Sequence, residues 1–258
     1  MNIDLSGKFA LVTGGASGIG GAIAEAYAVA GARVFVADLN SDSAAAKARA
    51  IGSGAIGFGV DVASNASIDD AIRFIISEAG GLDILVNSAG VYSGAPLGEA
   101  DEADFHRIFN VNVKGLFFVT QKAAAAMVAV GRGGRIINIA SVAGRRGDPQ
   151  TPLYSASKAA VISLTQAAAI ELAIDGINVN AIAPGGVDTP MWRDVAKTFG
   201  SRRGIEPDAF TREFLELVPA KRLGVPTDYP GTAIFLASSL SDYMTGQTLN
   251  VDGGFFCS

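Results

Sequence analysis

Three polar residues in the middle of the chain have the types and spacing of a proton-transfer site. Lys158 follows Tyr154 by four residues, so on a helix the two side chains lie on the same face. A free phenol has a pKa of about 10, and a nearby ammonium group favours the phenolate and lowers that pKa. Ser141, thirteen residues before the tyrosine, could hold an alcohol or carbonyl oxygen beside the phenol. The set could therefore interconvert C–OH and C=O, although the Tyr-x-x-x-Lys spacing alone is equally typical of a surface tyrosine and a solvated lysine.

The amino-terminal part of the chain has the pattern of a dinucleotide-binding unit. Residues 9–13 are an apolar run that predicts a buried strand, and Gly14, Gly18 and Gly20 follow it at the start of a helical pattern. A second strand is predicted at 33–37 and ends in Asp38. Glycines allow the backbone to approach a pyrophosphate, and the helix amino terminus stabilises its charge. This order of elements predicts a nucleotide cofactor.

The same alternation of strand and helix continues along the chain. Six βα repeats of about 30 residues each predict a parallel sheet with helices on both faces, which is an α/β fold of Rossmann-like type. A long helix is predicted at 104–130, a strand at 135–139 that leads to Ser141, and a helix from Tyr154 to about residue 174. We expect one domain over 1–258. Only 188–225, which contains Trp192, departs from the rhythm, and it is expected to cross the carboxyl ends of the strands, where ligands bind.

Composition excludes several classes of protein. Acidic residues outnumber basic ones, 25 to 20, so neither nucleic acid nor an anionic membrane surface is an expected partner. The single cysteine, Cys257, excludes an internal disulfide; with His106 as the one histidine, a zinc site is improbable and no metal is expected. The first residues have neither the basic end nor the apolar run of a signal peptide. The apolar stretch at 123–130 is expected to be too short to span a bilayer, and we expect a cytoplasmic location.

Several motifs in the same order resemble the short-chain dehydrogenase/reductase family over the whole length of the chain. The matching residues are Thr13-Gly14-x-x-x-Gly18-Ile19-Gly20, Asn87-Ser88-Ala89-Gly90, Asn112, Ser141, Tyr154-x-x-x-Lys158 and Pro184-Gly185. The resemblance implies a Rossmann-like three-layer sandwich with a seven-stranded parallel sheet, assembled as a homotetramer or dimer. Ser88 stands where the family often has asparagine, and Gly186 departs from the pattern in a way expected to loosen the nicotinamide-side loop.

The resemblance also implies a role for each matched residue. Tyr154 would be the acid/base, Ser141 would orient the reacting oxygen, Lys158 would bind the nicotinamide ribose and tune the tyrosine, and Asn112 would hold a water that passes the proton to solvent. The residues implied to bind the cofactor are Gly14, Ser17, Gly18, Ile19, Asp38, Asp61, Val62, Asn87, Ala89, Gly90, Tyr154, Lys158, Pro184, Gly185, Val187 and Thr189.

Some of these residues have structural alternatives. Asn112 could merely bend its helix by bonding to its own backbone, Ser141 and Asp61 could each be a cap, and Thr189 could be an ordinary turn residue. Residues interpreted without a functional role are Arg145 and Arg146 in a solvated turn, His106 on a helix surface, and the inert Cys257.

The residue that ends the second strand predicts the cofactor. Asp38 lies about 20 residues beyond the glycine loop, where a carboxylate can accept hydrogen bonds from both ribose hydroxyls and would repel a 2′-phosphate. No lysine or arginine offsets its charge at the neighbouring positions Gly15, Ala16, Ser17, Leu39 and Asn40. We therefore expect NAD rather than NADP, with a simple turn or cap role for Asp38 as the alternative.

The predicted function is oxidation of a secondary alcohol. Segments 144–147, 159–166 and 176–185 resemble bacterial polyol dehydrogenases of the sorbitol and galactitol type, which implies a small-molecule substrate such as a sugar alcohol. A polyol pocket needs several polar groups, and Ser93, Asp148 and Gln150 are the candidates. The alternatives are a reductase of carrier-bound 3-oxoacyl chains, another short-chain alcohol dehydrogenase, and a non-catalytic protein that senses NAD(H).

Overall fold

A parallel sheet of seven strands forms the centre of the molecule, which we describe from a computed structural model covering residues 3–257. The strands run in the spatial order β3-β2-β1-β4-β5-β6-β7, and every neighbouring pair is parallel. Their bounds are β1 Phe9–Thr13, β2 Arg33–Asp38, β3 Ile56–Gly59, β4 Ile84–Asn87, β5 Gly134–Ile139, β6 Ile177–Pro184 and β7 Thr248–Val251. The predicted α/β fold with a seven-stranded parallel sheet is confirmed.

Nine α-helices of the described residues connect these strands. They are α1 Gly18–Val29, α2 Ser41–Ile51, α3 Asn65–Ala79, α4 Glu102–Phe109, α5 Leu116–Val130, α6 Pro152–Leu172, α7 Pro190–Arg203, α8 Pro207–Leu217 and α9 Pro230–Ala237. Two apolar clusters lie on opposite faces of the sheet, because successive strand residues such as Leu11 and Val12 point to opposite sides. Side chains of α1, α2 and α9 belong to one cluster, and side chains of α3, α5 and α6 belong to the other. The result is a three-layer sandwich.

The long helix predicted at 104–130 contains a change of helical type. It begins at Glu102, forms a π-helical segment at Asn110–Gly115, and continues as α5 to Val130. A π-helical segment carries one more residue per turn than an α-helix and is frequent at functional sites. Here the segment contains Asn112, so the irregularity falls at a residue that the sequence singled out.

Two long helices begin and end within two residues of their predicted bounds. Glu102–Val130 and Pro152–Asp175 are both long and apolar enough to cross a membrane by length and composition alone. The stretch 123–130 is only part of the first helix, so its shortness does not by itself exclude a span. Both helices are nevertheless part of the sandwich, since α5 packs on α3 and α6 packs on β6, and apolar core helices of this kind pass the same test.

The predicted excursion at 188–225 is folded. It forms α7 and α8, which pack against each other, and an isolated parallel bridge between Val187 and Gly224 closes its base. The excursion lies beyond the carboxyl end of β6, so its helices overhang the edge of the sheet where the loops after β1, β4 and β5 also end.

Candidate active site

One large cleft follows the carboxyl edge of the sheet. Its volume is about 940 Å³, and its lining runs from Asp38 after β2 to Phe255 near the carboxyl terminus. The strand order reverses between β1 and β4, and in open parallel sheets ligands bind at this reversal. Thr13 and Asn87 are register partners there, and the Thr13 hydroxyl accepts hydrogen bonds from the backbone N–H groups of Ser88 and Ala89.

The first turns of α6 place the tyrosine and the lysine in this cleft. Thr151 precedes the helix and Pro152 occupies its first turn, where a proline needs no backbone partner. Tyr154 and Lys158 both line the cleft. The Lys158 ammonium nitrogen lies 5.8 Å from the centre of the Tyr154 ring and donates a hydrogen bond to the Ile139 carbonyl oxygen at 2.8 Å. The spacing argument for a shared face is therefore borne out by the geometry.

The ionisation of the two side chains is governed by burial. Burial raises the pKa of Tyr154 to about 12, while its hydrogen bond with Ser141 acts to lower it. Burial also lowers the pKa of Lys158 to about 8. The expectation that Lys158 would bring the tyrosine pKa below its usual value is not met, because desolvation of the phenolate is the largest effect on that pKa.

Ser141 is held at the correct distance by a turn that packs on α6. The residue begins the 3₁₀ turn Val142–Gly144 and its hydroxyl accepts the Ala143 N–H at 3.1 Å. A side-chain carbon on Gly144 would lie 2.6 Å from the carbonyl carbon of Lys158, so only glycine allows the turn to approach the helix backbone this closely. The interpretation of Ser141 as a cap is correct for this 3₁₀ turn, and the same residue also lines the cleft.

Asn112 supports the site from behind the cleft wall. Its side-chain oxygen accepts the Val91 N–H at 2.8 Å, and its amide donates to the Val91 carbonyl at 2.9 Å and to the Ser157 hydroxyl at 3.1 Å. The interpretation that it only bends its own helix is wrong, since these partners lie on a distant loop and on α6. Both amide protons are used, so a water relay at this residue would need the backbone carbonyl or the remaining lone pair of Oδ1.

The glycine loop approaches its neighbours too closely for side chains. Gly14 has a φ of +62°, and a side-chain carbon there would lie 2.8 Å from the backbone of Ala89. Gly18 has a φ of +54° and begins α1, whose amino terminus opens toward the cleft. The N–H groups in the first turn of a helix have no partner within the helix, so those of α1 can face an anion, as a pyrophosphate site requires. These residues fit a dinucleotide.

Asp38 connects the second strand to the glycine loop. Its carboxylate accepts the Ala16 N–H at 3.2 Å and the Asn40 N–H at 3.2 Å. Asn40, not Asp38, caps α2. Similarly, Ser64 caps α3, while Asp61 accepts the N–H of Ala63 within its own turn, so the cap interpretation of Asp61 is wrong.

The adenosine side of the cleft is acidic. The described residues that line it beyond the glycine loop are Ala37, Asp38, Leu39, Val60, Asp61 and Val62. Two carboxylates and no lysine or arginine occur among them. Such a lining suits ribose hydroxyls and opposes an additional phosphate.

The opposite side of the cleft is formed by the segment after β6. Thr189 caps α7 by accepting the Trp192 N–H and also faces the cleft, so its turn role and its cleft position coexist. Gly186 does not loosen this loop as expected. A side-chain carbon there would lie 2.7 Å from the Phe214 ring and 2.9 Å from the Trp192 ring, so the glycine allows two aromatic rings to pack on the backbone.

Most of the residues selected from the sequence line the cleft together. They are Gly14, Ser17, Gly18, Ile19, Asp38, Asp61, Val62, Ala89, Gly90, Ser141, Asp148, Tyr154, Lys158, Pro184, Gly185, Val187 and Thr189. Four selected residues do not line it, namely Asn87, Ser93, Asn112 and Gln150. Asn87 is buried, and its amide donates to Thr120 and Asn138 at 2.9 Å each, so its side chain holds β4 in place and does not reach the cofactor space.

The three candidate substrate contacts have different positions. The Ser93 hydroxyl is committed to the Asp104 carboxylate at 2.6 Å, and Gln150 is exposed outside the cleft. Only Asp148 lines the cleft, with one carboxylate oxygen accepting the Gln150 N–H at 2.9 Å. A polar substrate would therefore meet fewer side-chain partners than the sequence suggested.

Sequence reasoning missed several cleft residues. Tyr92 packs edge-on against Tyr154 with ring centres 5.2 Å apart, and burial raises its pKa. Phe255 and Phe256 near the carboxyl terminus and several aromatic residues of α7 and α8 also line the cleft. The aromatic content of the excursion was a signal for the residues of α7 and α8. Phe255 and Phe256 could not be recognised from the sequence, because they reach the cleft only when the tail after β7 folds back onto it.

Arg145 is not a solvated turn residue, whereas Arg146 is exposed as expected. The Arg145 guanidinium donates to the Thr248 carbonyl and to the Asn250 side chain, which joins the turn after Ser141 to β7. Arg146 lies over the Phe256 ring at 5.8 Å and lines the cleft.

Among the residues that the structure describes, no cluster of three or more His, Cys, Asp or Glu side chains could hold a metal ion.

The family comparison matches nearly the whole chain. The model described as "Enoyl-(Acyl carrier protein) reductase" matches residues 14–256. The chain is 47% identical to a sorbitol dehydrogenase of Cereibacter sphaeroides, over 98% of this chain and 99% of that protein. It is 45% identical to a galactitol 2-dehydrogenase of Agrobacterium fabrum, over the same 98% and 99%.

Solved structures have the same fold. A short-chain type dehydrogenase/reductase from Mycobacterium marinum superposes with a TM-score of 0.91 at 37% identity, covering 100% of this chain and 98% of that one. A gluconate 5-dehydrogenase from Burkholderia cenocepacia, solved in complex with NADP and tartrate, has a TM-score of 0.90 at 38% identity, covering 98% and 97%.

Proposed function

Because the chain belongs to the short-chain dehydrogenase/reductase family, we propose that it oxidises a secondary hydroxyl of a polyhydric alcohol to a ketone with NAD. The observation that carries the proposal is the placement of Ser141, Tyr154 and Lys158 on one wall of the cleft, opposite the segment after β6 and continuous with the glycine loop. Sorbitol and galactitol are the first candidate substrates, since two similar proteins have those names.

The proton and the hydride leave the substrate by different routes. The cleft residues would hold the nicotinamide, which would supply the hydride acceptor for the carbinol carbon. The chain provides the proton acceptor: the Tyr154 oxygen removes the hydroxyl proton while the Ser141 hydroxyl orients the substrate oxygen. The Ser141 side chain acts on the pKa of Tyr154, and this closeness supports a substrate oxygen within reach of both side chains.

Lys158 has two roles in this proposal. Its ammonium group lies near enough to the Tyr154 ring to favour the phenolate when the tyrosine acts as a base. It also faces the space between the tyrosine and the glycine loop, where it would bind the nicotinamide ribose. Because burial lowers the pKa of Lys158 to about 8, the ammonium form is retained near neutral pH and lost at alkaline pH.

The preference for NAD is supported by charge. Asp38 and Asp61 both face the adenosine side of the cleft, and the described residues that line this side offer no cation to a 2′-phosphate. Asp38 also accepts the Ala16 N–H, so its carboxylate is held at the edge of the glycine loop. A related dehydrogenase binds NADP, and the cofactor must therefore be tested directly on this protein.

The direct test is turnover with purified protein. NADH formation is measured with sorbitol, galactitol, mannitol, xylitol and simple secondary alcohols, with NAD and NADP compared at equal concentration. We expect NAD-linked oxidation of at least one polyol, with a higher kcat/KM for NAD than for NADP. A protein that binds NADH but turns over neither these substrates nor a 3-oxoacyl thioester would instead be the NAD(H) sensor.

A second candidate reaction is reduction of a carrier-bound or thioester-bound 3-oxoacyl chain. A 3-oxoacyl-[acyl-carrier-protein] reductase of Thermotoga maritima, 37% identical over 97% of this chain, and the aromatic lining of the cleft favour it. Reduction of a 3-oxoacyl thioester, measured with NADH and NADPH, separates this candidate from the polyol reaction. A much higher kcat/KM for the thioester would assign the enzyme to the second reaction.

Assembly and location complete the proposal. Apolar side chains are exposed on α4, α5 and α6, including Phe105, Phe117 and Ile170, and the family resemblance implies that such faces are covered in a dimer or tetramer. Light scattering after gel filtration tests the oligomeric state. We also propose a cytoplasmic location, which cell fractionation tests.

A further inference from the structure

Five aromatic rings form one continuous surface on the side of the cleft away from the cofactor loop. We call this surface the aromatic wall; it consists of Trp192, Phe199, Phe210, Phe214 and Phe255, all of which line the cleft. Ring centres are 4.7 Å apart for Trp192 and Phe214, and 5.2 Å apart both for Phe199 and Phe210 and for Phe214 and Phe255. Two separate segments, the excursion and the carboxyl-terminal tail, therefore build a single apolar surface.

The aromatic wall is placed beside the reacting groups by Gly186. The absence of a side chain there allows the Trp192 and Phe214 rings to pack directly on the loop that follows β6. The same loop lines the cleft opposite Tyr154 through Pro184 and Gly185. A substrate whose oxygen lies at Tyr154 thus has the wall within the same cavity.

The polar groups at the aromatic wall are bonded to one another or to the backbone, so few of them can bond to a substrate. The Trp192 indole N–H donates to the Thr211 hydroxyl, which itself donates to the Pro207 carbonyl. Arg203 and Glu213, which also line this part of the cleft, form an ion pair at 2.7 Å with both side chains about half exposed. The wall is therefore apolar at its centre, and its charged groups neutralise each other at the solvent edge.

The other side of the substrate space is polar. Ser141, Tyr154 and the Asp148 carboxylate line it, with Arg146 nearby over the Phe256 ring. The cavity is consequently unequal on its two sides. One side can hydrogen-bond hydroxyl groups, and the other can only bury carbon.

We infer that the substrate is a secondary alcohol with two unequal substituents, a hydroxyl-bearing one directed to Asp148 and an apolar one buried against the aromatic wall. The inference rests on the proposed function and narrows its substrate class. A hexitol with a hydroxyl on every carbon would leave hydroxyl groups unpaired against the wall, which costs binding. A deoxy or alkyl end gains binding by burial of apolar surface.

A matched pair of substrates tests the inference. Fucitol is galactitol without one terminal hydroxyl, so the two compounds differ only at one end of the chain. We expect kcat/KM for the better fucitol enantiomer to exceed that for galactitol about tenfold or more. In a series from 2-butanol to 2-octanol, kcat/KM should rise up to about fourfold for each added methylene until the wall is covered.

Two substitutions at one position test whether the aromatic wall causes the preference for fucitol and for longer alcohols. Phe214→Leu keeps an apolar surface and should retain the rise of kcat/KM with chain length. Phe214→Gln should reduce this rise and should also reduce the difference in kcat/KM between fucitol and galactitol. Phe255→Gln on the tail is the second polar variant, in case α8 fails to fold with glutamine. Circular dichroism and NADH binding confirm that each variant is folded.

The outcomes separate the inference from the proposed function. Faster oxidation of galactitol than of either fucitol, or no rise with chain length, would overturn the inference while leaving NAD-linked polyol oxidation in place. A preference unchanged in both polar variants would also overturn it. Absence of turnover with every secondary alcohol would overturn the proposed function itself.

Discussion

The ammonium nitrogen of the buried Lys158 lies 5.8 Å from the centre of the half-buried Tyr154 ring, and both residues line the cleft. Burial moves their two pKa values apart, raising that of the tyrosine to about 12 and lowering that of the lysine to about 8. Each charged form is therefore costly in the folded protein. This cost has consequences for stability that can be measured without turnover.

The first prediction concerns the pH dependence of stability. The pKa of Lys158 is lower in the folded protein than in the unfolded chain, so between these two values the unfolded chain binds more protons. Stability from this residue therefore rises with pH from about 7 to 10. Relative to Lys158→Met, the wild-type protein should gain about 2 kcal/mol of unfolding free energy over this interval. Urea denaturation of both proteins at each pH gives the difference, and a constant difference would contradict the prediction.

The second prediction concerns the turn that positions Ser141. Gly144→Ala places a carbon about as close as 2.6 Å to the backbone of α6, so the turn must move away from Tyr154. We expect a loss of about 1–3 kcal/mol in stability and at least a tenfold lower kcat, with NADH affinity nearly unchanged.

A nearby glycine provides the matched control for this substitution. Gly147 has no neighbouring atom within 4 Å of a built side-chain carbon, so Gly147→Ala should leave stability and kcat close to the wild-type values. Equal effects of the two substitutions would show that the close approach at Gly144 does not position the serine.

The third prediction concerns cofactor choice. Asp38→Asn removes the charge beside the glycine loop while keeping the size of the side chain. We expect the ratio of kcat/KM with NAD to that with NADP to fall at least tenfold, because the ribose hydroxyls lose a charged acceptor and the 2′-phosphate loses a repelling one. Asp42→Asn, on the first turn of α2, is the control and should leave the ratio unchanged. A wild-type enzyme that uses NADP as efficiently as NAD would refute the assignment.

The fourth prediction concerns the carboxyl-terminal tail. Arg145 bonds to Asn250, and the Asn250 amide donates to the Phe256 carbonyl at 2.8 Å, so Arg145 is a positioning residue for the tail. Arg145→Met should raise KM for the alcohol severalfold and leave the dissociation constant of NADH unchanged. The control is Arg73→Met, which removes an exposed ion pair on α3. A fall in kcat alone, with KM preserved, would contradict a role in holding the tail.

The sequence predicts which segments of the chain form the site better than it predicts which atoms their side chains contact. The βα rhythm and the motifs that end β1, β4 and β5 locate Gly14, Ala89 and Ser141 at one edge of the sheet, because carboxyl ends of parallel strands meet there. Local pattern could not show that the Asn87 and Asn112 side chains turn away from the cleft. Their hydrogen-bond partners, such as Asn138 and Val91, come from distant segments.

The substrate side was the least predictable part. Ser93 and Gln150 are near the motifs in sequence, but their local turns direct one to Asp104 and the other to solvent. Phe255 lies at the opposite end of the chain from the cofactor loop and reaches the cleft only because the tail folds back against α8. Ionisation was also unpredictable, since the spacing of Tyr154 and Lys158 indicates their attraction and not the larger effect of burial.

The central claim is that Tyr154 transfers the substrate proton in an NAD-dependent oxidation. Tyr154→Phe removes only the phenolic oxygen, so the ring still packs against Tyr92. The deciding measurement compares NADH formation by this variant and by the wild-type protein on the best alcohol, together with the NADH dissociation constant of each. The account predicts a loss of turnover of at least about 1,000-fold with NADH affinity within a few-fold of wild type. Retention of more than a few per cent of the wild-type kcat, with NADH still bound, would contradict it.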